Sequence, residues 1–137
     1  MLGAGIVLAV SCRKPQPYET IQKKVSGTWR VTQTATDANA NGMIDPGETT
    51  PDTTGTTLVL NTDGTGSTSY SLLGYSLPVS LTWELTDNNT NIKETLTIPV
   101  VNTTTVINAH IEELTSTNMT VSSKLATVTT WTYYQKM

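Results

Sequence analysis

From Thr28 to the end of the chain, apolar and uncharged polar residues alternate, and the runs break at Gly, Asn, Asp or Pro. A period of two puts successive side chains on opposite faces of an extended strand, a pattern no helix can turn into one stripe. The first run, Thr28 to Thr36, sets Trp29, Val31 and Ala35 on one face and Arg30, Thr32 and Thr34 on the other. Thr57 to Asn61 leads through Asp63-Gly64 to a run around Gly66 to Leu73, and Asp-Gly between two such runs predicts a hairpin. Val79 to Thr86 aligns Leu81, Trp83 and Leu85, Ile92 to Ile98 aligns Leu96 with Ile98, and Thr105 to Leu114 aligns Ile107, Ala109 and Ile111. Two runs complete the series, one carrying Met119, Val121 and Leu125 and one from Val128 through Tyr134.

About eight strands joined by short turns, each with one apolar face, predict an antiparallel sheet wet on one side. Thr, about a fifth of the residues, supplies much of the wet face, and charged residues are only 14%. A sheet of this size must hide its edges, and an up-and-down eight-stranded antiparallel β-barrel removes them by closing. The alternative is a β-sandwich, which needs long crossovers, and the chain offers only one long connection, Asp37 to Gly55. Only Tyr18 to Val25, with Ile21 and Val25 four apart, has helical spacing.

Ahead of that helix, Met1 to Val10 is almost wholly apolar and ends at Ser11-Cys12, followed by Arg13, Lys14, Pro15 and Pro17. The run is too short to span a bilayer and has the length of a secretory signal core. Leu8-Ala9-Val10-Ser11-Cys12 resembles a bacterial lipobox, in which the Cys becomes the lipidated first residue of the mature chain. A lone Cys forms no internal disulfide, and a thioether-linked lipid gives it a role. The expected organisation is a signal peptide over 1–11, a lipidated Cys12 with tether and short helix over 12–25, and a barrel domain over 26–137. Acidic residues follow the Cys in surface-exported lipoproteins of the Bacteroidota. Arg13-Lys14 stand here instead, which favours the periplasmic side of the outer membrane.

Ser26-Gly27-Thr28-Trp29-Arg30-Val31 resembles the GxW signature that opens the first strand of lipocalins. The hairpin Leu60 to Gly66, mid-chain Trp83 and the pattern Ile111 to Met119 are similar to those of lipocalin-like domain lipoproteins of the Bacteroidota type. The resemblance implies a barrel plugged at one end by Trp29 beneath a basic side chain from the last strand. Lys136 and Lys124 are the basic residues near that end of the sequence.

The tightest local pattern is Asp37 to Glu48, which satisfies D-x-[DN]-x-[DN]-G-x5-E at every position. Calcium takes six to eight oxygens. Asp37, Asn39, Asn41, Asp45 and Glu48 would offer side-chain oxygens and Met43 its carbonyl, with Gly42 at the sharp turn and Ile44 pointing inward. Pro46 and Pro51 argue against a following helix, so the expectation is a calcium loop set between strands. Three carboxylates imply a weak site, with Kd on the order of 10⁻⁴–10⁻³ M. A solvated loop turning on Asn41-Gly42 is the plainer alternative.

A net charge of −3 argues against nucleic acid, which needs a basic face. Trp29, Trp83 and Trp131 could stack on a glycan, but Trp29 and Trp83 sit where core residues belong. Trp131 and Tyr134 fall on opposite faces of the last run. His110, beside Asn108 and Glu112, points away from the apolar face, and the chain has no second His and only one Cys for a zinc site. Asp52-Thr53-Thr54 resembles the O-glycosylation sites of exported Bacteroidota proteins, which marks Thr53. With no catalytic constellation, the expected function is non-enzymatic: a membrane-anchored lipoprotein holding a small apolar or amphipathic ligand in its barrel. The absence of Phe leaves room for a cavity, and one above about 300 Å³ would mark a ligand lumen. A filled core with an exposed apolar patch would instead mark an interaction module of an envelope complex.

Overall fold

A computed structural model of the chain describes residues 18–99 and 101–137. Cys12, the apolar run before it and the basic tether lie outside the described residues. The elements are α1 (Tyr18–Val25), β1 (Gly27–Thr36), β2 (Thr49–Pro51), β3 (Thr57–Leu60), β4 (Thr65–Leu72), β5 (Tyr75–Thr86), β6 (Asn91–Ile98), β7 (Thr103–Leu114), β8 (Asn118–Leu125) and β9 (Val128–Lys136). From β3 to β9 each strand pairs antiparallel with the next. Two pairings of β1 close the ring: Lys136 opposite Trp29 through Thr130 opposite Thr36 on one edge, and Gly27 opposite Leu60 on the other. The fold is a closed eight-stranded antiparallel barrel with β2 as an extra strand and one short helix. Closure satisfies the backbone edges that a two-layer sandwich would leave open.

β2 lies within what the sequence presents as one long connection. It pairs with the upper half of β1, Ala35 opposite Thr49, while β3 takes the lower half. The connection is thereby divided into a loop over residues 38–48 and a short link over 52–56.

α1 stops at Val25 because Gly27, at φ +132°, turns the chain into the barrel wall. Ile21 and Val25 face the lumen, and Val25 is fully buried against Trp29. The Trp29 Nε1 donates to the Val25 carbonyl oxygen at 2.7 Å, and Trp83 Nε1 donates to the Asn61 carbonyl oxygen at 3.0 Å. Both indoles thus bury their apolar area with the polar edge satisfied. Lys136 Nζ lies 4.8 Å from the Trp29 ring centroid and donates to the Lys24 carbonyl oxygen at 3.1 Å. Lys136, not Lys124, is therefore the basic residue over the plug. A Cβ on Gly27 would meet Lys136 Cε at 3.0 Å, so this cation–π contact is built around a glycine.

Strict alternation fails once in β1. The register with β9 shifts between Tyr133 and Tyr134, leaving Thr32 without a β9 partner. Such a bulge moves every later side chain of the strand to the other face. Ala35 therefore sits opposite Trp131, on the other face of the wall from Trp29, where it is buried at 1% exposure.

Candidate functional site

The helix-plugged end of the barrel is packed with Trp29, Leu60, Trp83, Leu85, Ile92 and Met119, all buried. Above them the strands enclose a cavity of about 180 Å³. Leu58, Ile92, Ile107, Ala109, Met119 and Val121 form its apolar wall, and Ser123 and Thr132 add hydroxyls. Ile107, 37% exposed, stands at its mouth. The volume is below the 300 Å³ expected of a ligand lumen, so the space suits a molecule of roughly six water volumes and no lipid chain.

Two ionisable groups enter this space, Glu94 from β6 and Tyr134 from β9. Burial pushes the Glu94 carboxyl up to about 7. The Tyr134 phenol is pushed up as well, first by burial and then by the negative charge of Glu94. Burial is the cause that raises Glu94, and no hydrogen bond or positive charge among the described residues offsets it. Such a carboxyl keeps its proton up to about neutral pH, and above it stands as a charge without the partner that water supplied. The sequence carried a signal for it: Glu94 shares parity with Ile92, Leu96 and Ile98, a charged residue on an apolar face.

Residues 37–48 fold at the opposite end from α1. Asp37, 1% exposed, accepts hydrogen bonds from the Asn41 and Gly42 amides at 3.1 and 2.7 Å. Asn39 and Asn41 accept from the amides of Asn41 and Met43 at 3.2 and 2.9 Å. Their side-chain amides both donate to Asp45 Oδ2, at 2.9 and 2.6 Å. Glu48 closes the loop, accepting from the Asp45 and Ala38 amides at 2.8 and 3.1 Å. The six residues named for calcium thus share one turn, and the side-chain oxygens of Asp37, Asn39, Asn41, Asp45 and Glu48 are engaged by loop N–H groups. Among the described residues no cluster of three or more His, Cys, Asp or Glu side chains is placed to hold a metal. Ile44 does not point inward: it is 39% exposed and Met43 62%. Pro46 and β2 leave no helix for an inward anchor to pack beneath.

The outer wall holds the remaining candidates. Trp131 is half-buried beside Asn108, His110, Glu112, Ser122 and Lys124 in a shallow groove. His110 Nδ1 lies 3.0 Å from Asn91 Oδ1, and Glu112 accepts from Ser122 Oγ at 2.6 Å. Thr53 is exposed in the link after β2, where Asp52 is engaged by Thr54 and Gly55. Asp63 sits in the β3–β4 hairpin, held below the usual carboxylate range by the Thr65 hydroxyl and amide.

Large exposed apolar residues gather at the open end. Leu73, Tyr75, Val101, Val106 and Leu125 are each more than half exposed, on or beside the hairpins opposite α1. Among the described residues no helix is long and apolar enough to cross a membrane. Compared with family models, curated proteins and solved structures, the chain has no match.

Proposed function

We propose that the chain is a non-catalytic, lipid-anchored binding protein of the lipocalin-like kind, whose barrel takes up one small amphipathic molecule. The observation that supports it is the cavity of about 180 Å³ above the plug, smaller than a lumen of about 300 Å³ and sized for one small molecule, apolar on most sides with two hydroxyls and two ionisable groups inside. A barrel built only for stability would fill that space, because voids cost packing contacts. In this reading Cys12 carries the lipid in the periplasmic leaflet of the outer membrane. The loop Asp37–Glu48 takes calcium weakly, using the same oxygens that now accept its N–H groups.

A second reading rests on the open end. Leu73, Tyr75, Val101, Val106 and Leu125, exposed at that end, give an interaction module apolar side chains to bury. Native mass spectrometry of protein taken from its own host separates the two. The ligand reading expects a chain beginning at acylated Cys12 that retains one small organic molecule and, in millimolar calcium, one ion that Glu48→Gln loses. A second polypeptide with an unliganded barrel favours the module. A chain still carrying residues 1–11 without acyl mass overturns the anchor.

A further inference from the structure

We propose that the cavity between Glu94 and Tyr134 binds a small organic cation, a primary amine on a short apolar body, with its ammonium against the Glu94 carboxylate. The inference rests on the barrel-ligand reading and names the class of ligand. Its basis is the composition of the cavity wall. Glu94 supplies the one carboxyl there, and Leu58, Ile107, Ala109 and Val121 surround it with hydrocarbon. An anionic amphiphile would meet a like charge in a low-dielectric space and is disfavoured. A divalent metal needs several oxygen ligands, and one carboxylate with a phenol and two hydroxyls does not make a calcium or magnesium shell. A neutral alcohol could bond to the protonated acid but gains nothing from its charge. An ammonium gains most, since it supplies the missing positive charge and the N–H donors together. The Tyr134 ring and the apolar wall then cover the body of the ligand, whose size the cavity limits to about that of a phenylethyl group.

Proton linkage follows from the surroundings of Glu94. Across its ladder it faces Trp83 of β5 and Ile107 of β7, neither titratable. From β9 it faces Tyr134, from β8 Val121 and Ser123, and from β3 Leu58. Lys93 pairs with Asn108, on the opposite face of the wall from Glu94. The amine should therefore bind with full strength above neutral pH and lose about tenfold in affinity for each unit below it.

The test is an amide-resonance titration of the folded domain at pH 8 with phenethylamine, 2-phenylethanol and phenylacetate, in wild type and in Glu94→Gln. Wild type is expected to bind phenethylamine at least tenfold tighter than 2-phenylethanol, with shifts at Ile92, Ala109 and Val121. Glu94→Gln should abolish that preference and leave the alcohol unchanged. Repeating the wild-type titration at pH 5 gives a second readout that needs no variant: the amine should weaken and the alcohol should not. Equal affinities for amine and alcohol in wild type, or a preference that survives Glu94→Gln or pH 5, overturn the cation assignment while lumen binding stands. If none of the three probes perturbs the lumen at millimolar concentration, the barrel-ligand reading fails and the inference with it.

Discussion

Replacing Trp29 with Ala should lower the unfolding free energy by about 3–5 kcal/mol, which for a domain of this size lowers Tm by roughly 10–20 °C. Trp29 is fully buried, and three separate structures meet on it: the last turn of α1, the start of β1 and the end of β9. Truncation would empty the helix-plugged end, orphan the Val25 carbonyl oxygen and strip Lys136 of its aromatic platform. Little can collapse into the space, because Gly27 next to it offers no side chain. Trp131→Ala is the matched control. Trp131 is half-buried on the outer wall, so its loss should cost less than half as much. Thermal unfolding of both variants checks this, and equal losses would mean that Trp29 does not close the barrel.

The second large effect is on the dependence of stability on pH. Glu94 is a carboxyl raised from 4.5 to about 7 in the folded chain, opposite to the usual case of a paired carboxylate. Between those pH values the folded state holds a proton that the unfolded chain has released. Stability therefore falls as pH rises from 4.5 to 7, and the loss is complete above 7. The shift corresponds to about 3 kcal/mol at full expression, an upper figure for a half-buried group. Asp63, held below the usual range, contributes with the opposite sign, so the informative quantity is wild type minus Glu94→Gln, measured by urea unfolding from pH 4 to 8. That difference should be small at pH 4 and favour the variant by roughly 2–3 kcal/mol at pH 8. A flat difference would mean that Glu94 is solvated and that the cavity does not penalise its charge. An amine bound at pH 8 should recover part of the loss, which links this measurement to the ligand.

The architecture was legible because a period of two is a local property, written in each run without reference to its neighbours. The helix Tyr18–Val25 and the Asp63-Gly64 hairpin were legible for the same reason. The bulge at Thr32 was not, since it arises only where β1 meets β9, more than a hundred residues later. It reverses Ala35, and the same closing register puts Trp131 outside and Tyr134 inside. From the sequence these two residues were known only to oppose one another. β2 was likewise hidden, a Thr-Thr-Pro stretch that is a strand only because β1 offers it an edge. Glu94 was visible as a charge on an apolar parity, yet parity alone does not tell a strand end from a lumen. The size of the cavity depends on how ten side chains from five strands fill one space, and no local pattern encodes that.

Whether the inside of the barrel is the working surface is tested most directly by crystals grown at pH 8 and soaked in phenethylamine. Density for the ring between Ile107, Val121 and Tyr134, with the nitrogen within hydrogen-bond reach of Glu94, is the expected result. An unfilled lumen with the amine stacked on Trp131 in the outer groove would contradict it.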